Sequence, residues 1–511
     1  MRGRSTHREV GVESPHTIDP KDEFAASVRH YRSGNLEQAE FVCRHILTRE
    51  PRQADALDLL GIISHQRGNS GAALRSLGLA ITADPGNPRH HSNKGVVCRD
   101  RGEVAEAAAC FQEALRLDPN FVEAHNNLGT VLQGQGRLEE ALAHYREALR
   151  LHPDYAEAHN NLGTILQGSG RLREALVHYR EALRLHPDYA EANVNHAQAS
   201  LLLGDFEHGW QGYEWRWRLR QRGPCRFREP RWDGSPLRGR TILLHAEQGC
   251  GDTVQFIRYT ALVKERVGAV IVQCQSALIR LVTTCPGIDA VIPAEAVPPR
   301  FDVHAPLLSL PGIFHTSLAS IPAEVPYLQP PRGKDGFLDA ALGVKRDGLR
   351  VGIVWAGSPT HRNDRDRSCA LSWFRGIACR PDVALFSLQK GPRAADLGEQ
   401  AGGMEVTDLS DHLCDFADTA AAIDRLDLVI TVDTAVAHLA GALGKPVWVL
   451  LPFAPDWRWL LDREDSPWYP SMRLFRQSRP GDWPGVFARL STALGAAGPA
   501  ILRSAAQGVL A

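Results

Sequence analysis

No apolar run in this 511-residue chain is long enough to cross a membrane. The longest, Leu426 to Pro452, is interrupted by Asp433, His438 and Lys445, whereas a span needs about 20 consecutive apolar residues. The opening MRGRSTHREVGVESPHTIDP has basic residues but no apolar stretch behind them, which argues against a signal peptide and leaves residues 1–19 as a loose tail. Excess charge of one sign is also missing. Lys and Arg total 58 against 59 Asp and Glu, a net charge of -1, so nothing favours nucleic acid or an anionic membrane as partner. The 10 cysteines are scattered singly, with no CxxC pair and no Cys/His spacing suited to zinc. Reduced buried thiols in a cytoplasmic protein are therefore expected, not a disulfide framework or a metal finger. What the chain does have is length, and 511 residues exceed one core and imply two to four domains.

The first half is periodic. Pro51, Pro85, Pro119, Pro153 and Pro187 recur at steps of 34 residues, as do Gly34, Gly68, Gly102, Gly136, Gly170 and Gly204. Small residues keep the same step, at Ala39, Ala73, Ala107, Ala141 and Ala175 and again at Ala80, Ala114, Ala148 and Ala182. This pattern resembles the tetratricopeptide repeat (TPR), a helix-turn-helix unit. Glycine serves the turn, small residues let helices cross closely, and proline stops the second helix. Five repeats fit 20–53, 54–87, 88–121, 122–155 and 156–189, and a sixth starts at Ala190 and fades after Gly204. Single units cannot bury their faces, so stacking into a solenoid over 20–204 follows. Asn93, Asn127, Asn161 and Asn195 share one position of successive first helices. Such a row can hold a peptide backbone, because each amide donates and accepts, or it can tie neighbouring helices together. A similar asparagine ladder occurs in eukaryotic O-linked N-acetylglucosamine transferases, a resemblance that implies peptide in the groove.

Between 205 and 238 the composition turns aromatic and basic, with Phe206, Trp210, Tyr213, Trp215, Trp217, Phe227 and Trp232 among arginines. Stacking on bases or sugars is one use of such residues. A cap on the solenoid's exposed end, fastened to the next domain, is the favoured one.

Strand-like runs then alternate with helical patterns, which implies doubly wound parallel sheets in two Rossmann-like halves, 239–333 and 348–495, with a tail at 496–511. In the first half, Thr241–His245 leads into Gly249-Cys250-Gly251-Asp252. The dinucleotide fingerprint G-x-G-x-x-G is not completed, so NAD is not read there. Further strands are expected at 269–273, 290–292 and 301–305, and a proline-rich linker follows. In the second half, strands are expected at 351–355, 384–389, 405–409, 428–431 and 447–451. Gly357, Ser358 and Arg367 follow the first of these, Lys390 tips the second, and Asp433-Thr434 opens the helix after the fourth. A free helix N-terminus just beyond a strand tip suits phosphate, basic residues beside it suit a pyrophosphate, and Asp433 suits a ribose hydroxyl or a cap. The run FAPDWRWLLDREDSPWYP after the fifth strand either lines a sugar site or fastens the halves, and fastening is favoured.

The string D-T-x-x-x-H-L-A-x-A-L-G-K-P, from Asp433 to Pro446, closely resembles the nucleotide-sugar motif of the ADP-heptose:lipopolysaccharide heptosyltransferases, glycosyltransferase family 9. The resemblance implies a GT-B architecture over about residues 240–490. It makes Gly249, Gly251, Gly357, Ser358, Arg367, Lys390, Asp433, Thr434 and His438 donor-binding. By position it assigns Asp252 as general base for an inverting transfer, helix capping being its plainer role. No cofactor is implied beyond a nucleotide-diphosphate sugar as substrate. No metal is implied either, which agrees with a D-x-D acidic pair being read as missing near a strand end. Two departures stand out: those transferases lack a solenoid, and Val436-Ala437 replaces their small residues before the helical histidine. The expected function is thus a glycosyltransferase whose repeats recruit a protein or saccharide acceptor or a partner protein. The alternatives are a scaffold with a silent transferase domain, or a protein O-N-acetylglucosamine transferase.

Overall fold

The computed structural model describes residues 20–219, 226–331, 338, 348–361, 363–400 and 402–506. The expected tail 1–19, Arg362, most of the 332–347 linker and residues 507–511 lie outside them. The chain forms two compact units, one of residues 1–165 with 184–187 and one of residues 166–183 with 188–511.

The first unit is helical. It pairs α1 (Pro20–Arg32) with α2 (Leu36–Arg49), α3 (Ala54–Gln66) with α4 (Ser70–Ala83), α5 (Pro88–Asp100) with α6 (Val104–Leu117), and α7 (Val122–Gly134) with α8 (Leu138–Leu151). The start of α9 (Ala156–Gly168) follows. The turn glycines sit in the left-handed region, Gly34 at φ 78° and Gly102 at φ 80° for example, where a Cβ would be strained. Ala39, Ala73, Ala107 and Ala141 are completely buried, as close helix crossing requires. A second glycine explains the spacing of the α5–α6 and α7–α8 pairs. A Cβ on Gly95 or Gly129 would stand 2.7 Å from the ring of Phe111 or Tyr145, so the aromatic of the second helix seats on bare backbone of the first.

The second unit begins with α10 (Leu172–Leu185), α11 (Ala190–Leu202) and a short α12 (Phe206–Tyr213). Its first sheet contains β1 (Leu237–His245), β2 (Val267–Cys274), β3 (Ala290–Pro293) and β4 (Val303–Pro306), all parallel in the order β3-β2-β1-β4. The second contains β5 (Leu349–Val354), β6 (Val383–Ser387), β7 (Val406–Asp408), β8 (Leu428–Val432), β9 (Val447–Leu451) and β10 (Met472–Arg476), also parallel, in the order β10-β9-β8-β5-β6-β7. Counted from its own first strand this is the doubly wound order, whose ligand crevice lies past the carboxyl ends of the strands where the winding reverses. Here that point falls between β5 and β8. Every residue of β8 and β9 is buried, which is why both read as unbroken apolar runs. Ile353, Trp355, Ile430, Leu450, Phe487 and Leu490 belong to the core against that sheet.

Two expectations need correction. β10 was not anticipated, because an edge strand with an exposed Arg473 blends into the arginine- and aromatic-rich run before it. The final helix, Trp483–Ala506, continues through the expected tail boundary at 496, since alanine-rich sequence favours helix.

The repeat packing yields a measurable contrast. Phe111 is completely buried and Phe41 is 64% exposed. Phe111→Ala is expected to cost about 3–5 kcal/mol and Phe41→Ala about 0.5 kcal/mol or less in urea denaturation of the full chain. Equal costs would refute the seating of the aromatic on Gly95.

Candidate functional site

At the reversal point the helix Ala435–Ala442 follows β8, with Thr434 at its N-cap in extended conformation. The Thr434 hydroxyl makes no cap bond and pairs with Thr431 Oγ1 at 3.0 Å. Neither Asp433 nor Thr434 thus satisfies the first-turn amides through its side chain. On the β5 side, Gln389 pins the chain: its Oε1 accepts from the backbone N–H of Trp355 at 3.1 Å and of Ala356 at 3.0 Å. The next residue, Gly357, donates its N–H to Ser368 Oγ at 3.0 Å, and a Cβ there would collide with the Arg367 guanidinium. Arg367 therefore lies across bare backbone at the tip of β5. Ser358 is exposed and pairs with Thr360 at 2.8 Å. Lys390 donates to the Ser410 carbonyl at 2.7 Å, which commits its ammonium to the β7 side.

Asp252 comes from the other half of the unit, on α13 (Cys250–Phe256) after β1. Its Oδ2 accepts from the Gly249 N–H at 2.8 Å, so the plain capping role is present. Gly251 marks where the halves meet: a Cβ on it would lie 3.0 Å from His438 Cδ2 and 3.3 Å from Ala435 Cα. The N-terminal ends of α13 and the Ala435–Ala442 helix thus converge. Asp252 Oδ1 forms an ion pair with Arg458 Nη2. Arg458 also donates from Nε to Gln255 Oε1 at 2.7 Å and from Nη1 to Asp456 Oδ1 at 2.8 Å, and its guanidinium lies 4.3 Å over the Trp457 ring. His438 is oriented by Tyr469, Nδ1 to hydroxyl 3.0 Å, and by a Trp459 ring stacked at 5.3 Å.

The charges follow from this crowding. Burial raises the Asp252 carboxyl and the Asp456 carboxylate adds to it, against the opposing pull of Arg458. Burial and then Asp456 push Asp433 up to about 6, while Trp459, Arg367 and Arg458 pull it down. Burial holds His438 well below its ordinary value, helped by Arg458 and Arg258, so it is neutral at physiological pH. Burial works against the charge of Arg458, but Asp456 and Asp252 outweigh it and hold the guanidinium above its ordinary value.

The structure brings Gly251, Asp252, Arg367, Asp433, Thr434 and His438 toward one cleft. It does not bring Lys390 or Ser358 into that set. Asp456, Arg458, Gln255 and Gln389 were missed. Nothing linear ties Arg458 to an aspartate 206 residues away, although an arginine between two tryptophans was a signal for a stacked cation. Arg476, on the unanticipated β10, braces the same loop by donating to the carbonyls of Arg463 at 3.0 Å, Leu460 at 2.9 Å and Trp459. The run after β9 fastens the halves, because Trp457 packs on Trp210 at 5.3 Å and on Phe256 at 6.3 Å. One sequence reading is corrected: Asp364-Arg365-Asp366 is a D-x-D string. Asp364 in it is engaged by Ser368 Oγ at 3.0 Å and Arg367 Nε at 3.4 Å.

In the array, the asparagines bond across to other side chains. Asn93 Nδ2 donates to Asp58 Oδ2 at 2.8 Å, Asn127 Oδ1 accepts from Arg99 at 3.1 Å, and Asn161 Nδ2 donates to Asn126 Oδ1 at 3.0 Å. These three therefore join successive repeats. Asn195 lies on α11 in the other unit.

Comparison with known proteins bears on both parts. Residues 95–136 and 120–188 match TPR repeat families, and residues 381–451 match glycosyltransferase family 9 (heptosyltransferase). The chain carries TPR repeats in its N-terminal part and a glycosyltransferase family 9 region near its C-terminus. That region spans β6 to β9 and includes Asp433, Thr434 and His438, whereas Asp252 lies outside it. Among curated proteins the chain is similar to protein FlbA of Caulobacter vibrioides, 27% identical over 328 residues, 59% of this chain and 54% of FlbA. The chain thus spans about half the length of that relative. Similar solved structures include PilF of Pseudomonas aeruginosa, 20% identical, covering 40% of this chain and 92% of that one with a TM-score of 0.36. Another is a thermophilic TPR protein of Thermus thermophilus, 23% identical, covering 36% of this chain and 100% of that one with a TM-score of 0.33.

The raised Asp433 sets a pH dependence. Its folded-state value of about 6 exceeds the ordinary 3.8, so the folded protein binds the proton more tightly and loses stability as pH rises from about 4 to about 6. Asp433→Asn removes that loss. The variant is expected to be more stable than the parent by on the order of 1–3 kcal/mol at pH 7.5, with the difference vanishing below about pH 4, in denaturant titrations at both pH values. A pH-independent difference would contradict the assignment.

Proposed function

We propose that the chain is a glycosyltransferase that moves a sugar from a nucleotide-diphosphate donor to an acceptor hydroxyl, without a metal and with inversion. The repeats recruit the acceptor or a partner protein. The observation that carries this reading is the convergence at Gly251, which sets a carboxylate from one parallel sheet beside the helix N-terminus of the other. The family 9 match over residues 381–451 supports it. In this reading the two sheets are the halves of a GT-B enzyme. The first-turn amides of the Ala435–Ala442 helix and Arg367 receive the diphosphate, whose charge suits the positive end of the helix. Asp433 takes a ribose or sugar hydroxyl, and His438, neutral and fixed by Tyr469, offers a ring nitrogen.

Asp252 takes the acceptor proton while the acceptor oxygen attacks the anomeric carbon on the face opposite the leaving diphosphate. A raised carboxyl value suits this role, because a base poised nearer neutrality transfers protons best. A cytoplasmic site of action is part of the reading. Among the described residues, no helix is long and apolar enough to cross a membrane.

The Asp252–Arg458 ion pair favours a second reading, a TPR scaffold with a silent transferase domain, because a paired carboxylate is a weaker base. A peptide-directed N-acetylglucosamine transferase draws less support, since three ladder asparagines already bond side chains within the array.

Screening ADP-, UDP- and GDP-sugars by thermal shift tests the donor. Ligand at one hundred times its dissociation constant adds about 2.7 kcal/mol, and one nucleotide class is expected to stand out. Asp252→Asn is expected to keep that shift and lose transfer. A shift without turnover in the parent protein would select the scaffold, and no shift with any donor would overturn the transferase reading and favour the bare scaffold.

A further inference from the structure

Arg458 is a buried cation of the cleft to which the reading above gives no task. Its guanidinium is buried, stacked on Trp457, and held at Nε by Gln255 and at Nη1 by Asp456, so the plane is fixed while the Nη2 edge faces Asp252. The same guanidinium acts on Asp433 and His438, at the mouth of the Ala435–Ala442 helix. It pairs with the base at the point where Gly251 meets Ala435 and His438, within electrostatic reach of the place assigned to the diphosphate. Facing Asp252 are Asp456, Glu247, Tyr213, Cys250, His361 and the Gly249 amide, and Arg458 is the one cation among these groups.

We propose that Arg458 is a shared counter-ion, paired with Asp252 before reaction and with the nucleotide diphosphate after it. The inference rests on the glycosyltransferase reading and adds to it how one site manages its charge. In the transfer step the acceptor O–H bond breaks and its proton goes to Asp252. The acceptor oxygen bonds to the anomeric carbon, the bond from that carbon to the diphosphate oxygen breaks, and the electron pair leaves with the diphosphate. One unit of negative charge is thereby lost from Asp252 and gained by the leaving group. Nε, Nη1 and the Trp457 stack keep the guanidinium in place, and the interaction of its Nη2 edge passes from Asp252 to the diphosphate as the charge moves. An interaction that strengthens as charge develops lowers the barrier, whereas one equal in both states does not. The donor-free ion pair is then the resting half of the cycle and not a sign of a dead enzyme.

The product state, a free nucleoside diphosphate beside protonated Asp252, is accessible without an acceptor. Titration calorimetry of the full chain at pH 7 with ADP, UDP and GDP, each in buffers of different ionisation heat, reads proton uptake on binding. The parent protein is expected to take up protons with the nucleotide it binds. Asp252→Asn is expected to bind at least as tightly and lose most of that uptake, and Asp433→Asn to keep most of it. Arg458→Lys, which preserves charge but not the fork, is expected to bind about tenfold or more weakly. Equal uptake in the parent and Asp252→Asn, or undiminished affinity in Arg458→Lys, overturns the counter-ion role and leaves the transferase reading standing. Absence of binding by all three diphosphates overturns that reading and this inference with it.

Discussion

The close approach of two helix N-termini at Gly251 is the constraint on which the candidate site depends. Any side chain at that position would press on His438 and on the backbone of Ala435, so the contact exists only because a glycine stands there. One consequence is electrostatic. Two positive helix ends share a small volume, and both lie beside carboxylates, Asp252 on one helix and Asp433 at the mouth of the other. The helix ends attract an anion, while burial and the neighbouring Asp456 carboxylate resist the ionisation of the two acids. The raised carboxyl values of Asp252 and Asp433 and the neutral His438 are results of the same packing.

The surrounding structure serves to hold that contact. Trp457 and Trp468 form an aromatic layer with Trp210, Phe206 and Phe256, and Arg476 grips three carbonyls of the loop that carries Arg458. On the other side, Arg216 is buried and fixes Glu247, in the loop leading to Asp252, through bonds of 3.0 and 2.8 Å. The join segment after α12 is therefore part of the site's foundation. Its aromatics are spent on packing, which leaves little of them for stacking on a base or sugar.

Much of this was legible in the linear sequence. The period of 34 residues fixed helices, turns and the buried alanines, because one residue type is forced at each turn and each crossing. The apolar strings of β5, β8 and β9 were found for an equally physical reason, since strands buried on both faces carry few polar interruptions. The failures share one cause. β10 alternates at an edge and has no such string, and Arg458, Gln255 and Gln389 take their place in the site through partners distant in sequence. Resemblance supplied Asp433, Thr434 and His438 as neighbours, and the fold placed them together. Position at strand tips supplied Lys390 and Ser358, which bonds to Ser410 and Thr360 hold elsewhere. Gly251 was named as a ligand-binding glycine, yet its visible duty is to let two helices meet.

The central claim is that a nucleotide diphosphate binds where these two helix ends converge. Amide hydrogen exchange on the full chain, with and without the bound nucleoside diphosphate, addresses it most directly. The account predicts slowed exchange in two separate peptides, one spanning Gly249–Thr253 and one spanning Thr434–Ala437, with the repeats between 20 and 165 unchanged. Protection confined to the repeats, or to the second peptide alone, would contradict a shared site.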